Sequence, residues 1–184
     1  PCDESRDGVS IAEAAAFALL ETGEARDAQL GFLGYGESAD AHHMSTPHPQ
    51  GEGAARAVRA ALQAAGLDAS EIDYVNLHGT GTRNNDSAED AAVYSVLGDG
   101  ALCSATKGFT GHALGAAGAV EAVITLLGLR DGVVPATANS TRVDPAFRCK
   151  VSLAGEKRSI RAAMSNSFGF GGSNCSLVFG RRWN

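Results

Sequence analysis

Two histidines, each in a glycine-rich turn after a short apolar run, are the residues of this chain best suited to chemistry. His78 lies in residues 76–82 (NLHGTGT), and His112 closes residues 104–112 (SATKGFTGH). A neutral imidazole at such a position can donate a hydrogen bond to a carbonyl oxygen on which negative charge develops. Either histidine alone could equally be satisfied by its own turn. Two of them at predicted strand ends favour one shared active site.

The charged neighbours of these turns suggest how the imidazoles are supported. We expect His112 at the first turn of a long helix over residues 112–129, where the helix dipole disfavours the imidazolium. Lys107 lies in the same turn and could hold an anion or pair with a carboxylate. Glu89, on the helix after His78, is the natural carboxylate partner for Lys107. Alternatively, Lys107 is a solvated surface lysine, and Glu89 is an exposed glutamate that complements the helix dipole.

A third glycine-rich turn, residues 165–174 (SNSFGFGGSN), separates two strand-like runs. Its backbone N–H groups could form half of an oxyanion hole, or the segment could simply be a tight turn between core strands. Three further histidines, at positions 42, 43 and 48, lie in an aperiodic loop with no nearby cysteine, so the spacing does not indicate a metal site.

Composition narrows the class of protein. The chain has 184 residues, 44% hydrophobic and 20% charged, which is typical of one compact domain. A net charge of -6 argues against nucleic-acid binding, and no apolar run is long enough to predict a membrane span. The four cysteines have no disulfide-type or CxxC spacing, which favours a reducing, cytoplasmic setting. The start at Pro1-Cys2, without Met or a signal peptide, suggests a piece of a longer protein.

Helix and strand signals alternate through the middle of the chain and give way to strands at the end, which predicts a layered α/β domain with a mixed sheet. The expected second helix is capped by Asp86 or Ser87 and stopped by Gly98, and the first Ala-rich helix is stopped by Gly66. The predicted helices are residues 11–21, 52–65, 86–97 and 112–129; the predicted strands are 29–36, 71–77, 101–106, 151–153, 161–165 and 175–179; residues 38–53 and 139–148 are predicted to be irregular.

Taken together, four segments resemble the β-ketoacyl synthases, the condensing enzymes of fatty-acid and polyketide synthesis. The segments are residues 3–8 (DESRDG), 76–82, 107–118 (KGFTGHALGAAG) and 166–174 (NSFGFGGSN). The resemblance implies a thiolase-like fold of two similar halves. This chain would be the C-terminal half, a mixed five-stranded-type sheet flanked by helices, with residues 1–35 as the end of the N-terminal half. In that fold residues 14–21 would be a strand rather than a helix.

The resemblance also implies a reaction, the decarboxylative Claisen condensation of malonyl acyl carrier protein with an acyl-enzyme thioester. No cofactor is implied beyond the phosphopantetheine that the carrier protein holds. By resemblance, His78 and His112 would bind the malonyl thioester carbonyl and stabilise its enolate. Lys107 and Glu89 would form a supporting pair. The Phe170 N–H would share the oxyanion hole, and its side chain would gate the acyl pocket.

The chain departs from the family pattern at several positions. The family's nucleophilic cysteine lies in the N-terminal half, and none of Cys2, Cys103, Cys149 or Cys175 has its setting, so we expect this piece to be inactive alone. Arg83 and Ser173 replace common family residues, which suggests a specialised branch such as polyene synthesis. The implied partners are the carrier protein, malonyl and acyl thioesters, the N-terminal half and a homodimer or heterodimer mate. A non-catalytic subunit like a chain-length factor, or a plain interaction domain, are the alternatives.

Overall fold

A mixed β-sheet is the centre of the computed structural model, which describes residues 1–22 and 30–181. Six strands run in the order β1-β8-β7-β2-β3-β5. Strands β7, β2, β3 and β5 are parallel, and β8 pairs antiparallel with both β7 and β1. The bounds are β1 Leu30–Ala39, β2 Tyr74–Asn76, β3 Leu102–Ser104, β4 Val133–Val134, β5 Lys150–Val151, β6 Glu156–Lys157, β7 Ala162–Phe168 and β8 Ser173–Arg181, with β4 and β6 forming a separate pair. The predicted mixed α/β sheet is confirmed, with the two-residue β5 as a sixth strand at its edge.

Helices cover both faces of the sheet. They are α1 Glu52–Ala65, α2 Arg83–Leu97, α3 Lys107–Thr110 and α4 Ala117–Asp131, with single 3-10 turns at Ala69–Glu71, Leu114–Ala116 and Phe170–Gly172. The first helix has the predicted bounds and ends where Gly66 adopts a left-handed φ of 66°. No helix in the described parts of the chain is long and apolar enough to cross a membrane.

The strands alternate their side chains between two cores, as the pleat of a sheet requires. Val75 packs in the core beneath α1 and α2, whereas its neighbour Tyr74 packs in the core beneath α4. Adjacent residues on β8 divide in the same way, Val178 into the first core and Phe179 into the second. Burying each large apolar side chain contributes about 1.5–3 kcal/mol, so both helical layers hold the sheet that carries the site.

The helix predicted for residues 11–21 is wrong. Ile11 makes a single parallel bridge to His112, and residues 12–22 form neither a helix nor the strand that the family resemblance implied. Phe17 is 92% exposed, so nothing in the described chain covers this segment. A short helix without tertiary packing is marginal in water, whatever its propensity. Gln29, which was predicted to start the next strand, lies outside the described residues. Strand β1, Leu30–Ala39, includes residue 35, the expected last residue of the N-terminal half.

The long helix predicted for residues 112–129 is also wrong in its first turns. The chain forms the short α3, turns at Gly111 with φ 64°, and begins α4 only at Ala117. His112 therefore precedes the helix rather than opening it. The second helix likewise begins earlier than predicted, at Arg83 with Thr82 before it. Asp86 instead accepts the Gly81 N–H at 3.1 Å, inside the helix rather than at its cap.

Candidate active site

Three turns leave the sheet at one edge, because β2, β3 and β7 are parallel neighbours. His78 follows β2, Lys107 and His112 follow β3, and the Gly169–Gly172 turn follows β7. The sequence placed all three turns after strands, and the topology brings them side by side. A cleft of about 540 Å³ opens here, lined by residues 5–12, Thr80, and residues 107–112.

The two histidine rings meet edge to face, with centroids 5.2 Å apart and planes at 84°. His78 is buried, and His112 is half-buried at the cleft. The N-terminal segment holds His112 in place, since the His112 N–H donates to the Ser10 carbonyl at 2.8 Å and its carbonyl accepts the Ala12 N–H at 3.0 Å. A Cβ on Gly111 would lie 2.6 Å from the Ala12 Cβ, so this close approach requires glycine.

Hydrogen bonds define the tautomer of each ring. The Lys107 Nζ lies 3.1 Å from the His78 Nδ1, and because an ammonium group only donates, that nitrogen is an acceptor. The His112 Nδ1 accepts the Leu114 N–H at 3.1 Å. A neutral imidazole with an accepting Nδ1 carries its proton on Nε2. Each ring therefore presents an Nε2–H donor.

Burial keeps both rings neutral. Desolvation, Lys107 and His112 together lower the pKa of His78 well below its ordinary value. Burial and Lys107 lower the pKa of His112. The helix dipole invoked from the sequence is not the cause, because α4 begins five residues after His112. Burial and Lys107, rather than a helix dipole, favour the neutral form predicted for His112.

The predicted Lys107–Glu89 pair is wrong: the lysine pairs with Glu121. The Lys107 ammonium donates to the Glu121 Oε1 and to the His78 carbonyl, and both charged side chains are buried. Burial raises the pKa of Glu121 to about 7, against the opposing effect of Lys107. A lone carboxylate in the otherwise apolar run of α4 was the signal in the sequence, because a buried charge needs a partner.

Glu89 holds the backbone of the His78 turn instead. Its Oε1 accepts the His78 N–H and its Oε2 accepts the Gly79 N–H, each at 2.8 Å. The Asn166 amide, which sequence reasoning gave no role, adds a third donor at 3.2 Å. Burial raises the pKa of Glu89 to about 7, and these three N–H donors oppose that rise. Nothing in the residues around Glu89 indicated that its carboxylate accepts backbone N–H groups.

Phe170 lies on the turn after β7 with its ring 78% exposed. Backbone bonds hold the turn on both sides of it, from the Gly169 N–H to the Ser173 carbonyl at 2.7 Å and from the Gly171 N–H to the Met44 carbonyl at 2.8 Å. The ring that approaches His78 is Phe168, with centroids 5.9 Å apart. The oxyanion and gating roles of Phe170 therefore stay predictions.

Cys2, Cys149 and Cys175 are held as thiols, because their surroundings raise the pKa of each. Burial raises the pKa of Cys2 well above its ordinary value, and burial with Glu37 raises the pKa of Cys175. The neighbouring Cys103 thiol and burial raise the pKa of Cys149. Thiols with raised pKa values are poor nucleophiles at neutral pH. The histidines of the 40–51 loop also assemble no metal site, since no suitable group of three or more ligands occurs in residues 1–22 and 30–181.

The layered α/β domain, with paired histidines at the ends of parallel strands, has a thiolase-like fold. Residues 31–141 match the family profile described as the C-terminal domain of beta-ketoacyl synthase. The chain belongs to the β-ketoacyl synthase family.

Individual relatives agree with this assignment. The chain is 44% identical to 3-oxoacyl-[acyl-carrier-protein] synthase 2 of Rhizobium meliloti over 192 residues, covering 98% of this chain and 45% of the relative. It is 44% identical, with a TM-score of 0.80, to a chain of the Xenorhabdus doucetiae complex of the ketosynthase ApeO with its chain length factor ApeC, covering 85% of this chain and 40% of that one. The ishigamide ketosynthase/chain length factor is 36% identical with a TM-score of 0.90, and the match covers 100% of this chain and 47% of that one. The chain spans less than half the length of the curated relatives it matches.

Proposed function

We propose that this chain is the part of a 3-oxoacyl-acyl carrier protein synthase that activates the malonyl thioester for decarboxylative Claisen condensation. The observation that carries the proposal is the tautomer of both histidines. Each ring is neutral and uses its Nδ1 as an acceptor, so His78 and His112 both present an Nε2–H donor. Two such donors are suited to an oxygen that gains negative charge during the reaction.

The chemistry follows from that donor pair. The bond between the malonyl α-carbon and its carboxylate breaks, carbon dioxide leaves, and the electron pair moves into the thioester to give an enolate. The enolate oxygen accepts the two Nε2–H groups. The enolate carbon then attacks the acyl thioester on the cysteine, a carbon–carbon bond forms, and the cysteine thiolate leaves. Neither histidine transfers a proton in these steps.

Supporting residues have separate tasks in this proposal. Lys107 fixes the His78 tautomer by donating to its Nδ1, and the Glu121 carboxylate compensates the charge of Lys107. Glu89 fixes the backbone on which His78 is mounted. The Phe170 N–H, with that of the cysteine, receives the oxyanion of the acyl thioester, and the exposed Phe170 ring gates the acyl pocket.

The nucleophile and the partners come from outside the residues described. The cysteine is supplied by an N-terminal half, of which residues 1–35 are the end. The carrier protein brings the malonyl and acyl groups on its phosphopantetheine arm, and the name of the Rhizobium relative includes an acyl carrier protein. Arg56, Arg59 and Arg83 are candidates for docking an acidic carrier protein. The dimer mate is a second synthase or, as for ApeO, a chain length factor.

The proposal is tested in the full-length parent with malonyl and acyl carrier proteins. We expect His78→Ala and His112→Ala to keep acyl uptake and to lose decarboxylation and condensation by about 10²–10³-fold, the usual effect of removing one oxyanion donor. The matched control is His43→Ala, because His43 is exposed in the 40–51 loop and bonds only to Ser45 among the described residues.

Two outcomes would count against the proposal. If the parent neither takes up an acyl group nor decarboxylates malonyl carrier protein, the chain belongs to a non-catalytic subunit of the chain-length-factor type. If the parent is active and both histidine variants match the His43→Ala control, the two rings are not the enolate site.

A further inference from the structure

Beneath the histidine pair, a buried side-chain relay runs from β8 to the His78 turn. It begins at Ser176, whose hydroxyl donates to the Asn166 Oδ1 at 2.8 Å. The Asn166 Nδ2 then donates to the Glu89 Oε1 at 3.2 Å. Ser176 and Asn166 are completely buried, and Glu89 is 2% exposed, so water does not compete for these bonds.

The relay has a fixed direction. A carboxamide has a donating end and an accepting end, whereas an ionised carboxylate only accepts and a serine hydroxyl can do either. The Asn166 NH₂ group therefore faces the Glu89 carboxylate, and the Ser176 hydroxyl donates to the Asn166 Oδ1 at the other end. The reverse orientation would set a carbonyl oxygen against a carboxylate oxygen in a buried site, at the cost of an unsatisfied and repelled acceptor.

Glu89 transmits this orientation to the turn that carries His78. One oxygen accepts both the Asn166 amide and the His78 N–H, and the other accepts the Gly79 N–H. We propose that Asn166 is a positioning residue for His78 that acts through the Glu89 carboxylate, with the Ser176 hydroxyl satisfying the Oδ1 of its amide. The effect of Asn166 on the decarboxylation rate rests on the proposed function, whereas its effect on the ionisation of Glu89 does not.

Few of the groups that face Glu89 stabilise its ionised carboxylate, so the Asn166 amide donor matters for that charge. Asp86 on the same helix opposes ionisation of Glu89, and the Cys2 thiol approaches from the N-terminal segment. The imidazole of His78 is neutral and adds no positive charge, and the Lys107 ammonium is directed to Glu121. In the described ranges, the side-chain donor to this carboxylate is Asn166.

The first experiment needs no catalysis. Urea unfolding of the full-length parent is measured between pH 5.5 and 8.5 for wild type and Asn166→Ala. Without the amide donor the pKa of Glu89 rises above about 7, so its ionised form costs more in the folded protein. The stability loss of Asn166→Ala should therefore be smallest at pH 5.5, where Glu89 is protonated in both proteins, and largest at pH 8.5.

Ser104→Ala is the matched control, because Ser104 is equally buried and bonds to the Tyr74 hydroxyl at 2.9 Å. The loss of unfolding free energy in Ser104→Ala should not change with pH. If the Asn166→Ala loss is equally independent of pH, Asn166 only packs and the inference is overturned. Should Asn166→Ala fail to fold, Ser176→Ala is measured in its place, since it keeps the amide but removes the donor to its Oδ1 and so weakens its hold on Glu89. The same pH trend, smaller in size, is then expected.

The second experiment is the pH profile of malonyl decarboxylation. Because ionised Glu89 is the acceptor for the His78 turn, Asn166→Ala should lose about tenfold in rate below pH 7 and recover much of it above pH 8. If the parent does not decarboxylate malonyl carrier protein at any pH, the proposed function is contradicted, and the unfolding data still test the role of Asn166. If the parent is active and Asn166→Ala has the wild-type pH profile, the positioning role of Asn166 is contradicted and the proposed function is not.

Discussion

At the scale of single residues, the tautomer of His78 depends on Lys107. The ammonium donates to the His78 Nδ1, which leaves the proton on Nε2. Lys107→Met keeps the length of the side chain and removes the donor. We expect the His78 proton then to distribute between both nitrogens, and decarboxylation by the full-length parent to fall about 10²-fold because the enolate loses one aligned donor. The ¹⁵N chemical shifts of the imidazole measure the tautomer directly.

His112 is an internal control for this prediction. Its Nδ1 accepts the backbone N–H of Leu114, which the lysine substitution leaves in place. His112 should therefore keep its Nε2–H signal in Lys107→Met. A variant in which His78 also keeps that signal would show that the lysine does not select the tautomer.

The sequence predicted the residues of the site better than their pairings. His78, His112 and Lys107 were identified because glycine turns after strands place side chains at a sheet edge. The partner of Lys107 could not be identified in the same way, because Glu89 and Glu121 both lie on helices that follow these turns. Which carboxylate reaches the lysine depends on how α4 lies across the sheet, and that is a tertiary property.

Among the elements, the contact between β1 and α1 leaves no room for a side chain at Gly36. A Cβ on Gly36 would lie 2.2 Å from the Ala57 carbonyl oxygen and 2.4 Å from the Ala61 nitrogen, both in the helix backbone. Gly36→Ala must therefore push α1 away from the sheet. We expect it to lower the free energy of unfolding by about 3 kcal/mol or more, measured by urea denaturation of the full-length parent.

Gly31→Ala on the same strand is the comparison. Its Cβ would meet the Leu33 Cδ2 at 3.4 Å, an ordinary contact, and alanine removes the entropic cost of glycine in a strand. This variant should be neutral or slightly more stable. Equal losses in the two variants would mean that the strand does not pack against α1 as described.

Element prediction succeeded where local chemistry and packing agree. The first helix has its predicted bounds because a stripe of alanines faces the sheet and Gly66 supplies the left-handed residue that ends it. Residues 11–21 have an equally helical composition but no surface to pack against, so propensity alone misled. The start of α4 was misplaced because the turn at Gly111 is set by its contact with Ala12, which is far away in the sequence.

For the whole molecule, the important feature is apolar surface that the chain does not cover. Ile11 is 63% exposed, Phe17 92% and Leu19 87%, all on the N-terminal segment. Helix α4 is apolar on nearly every side, and its Leu127 is 43% exposed. Helices of this composition are normally buried on all sides. We infer that another part of the parent protein covers this surface.

Substitution of the N-terminal segment tests that inference in the full-length parent. Phe17→Ser with Leu19→Ser should lower the free energy of unfolding by about 4 kcal/mol or more, since both side chains would leave an apolar interface. Met44→Ser is the control: Met44 is 80% exposed in the 40–51 loop, outside the N-terminal segment in sequence, and its loss should change stability by about 0.5 kcal/mol or less. If the double variant is as stable as the control, the segment stays exposed in the parent.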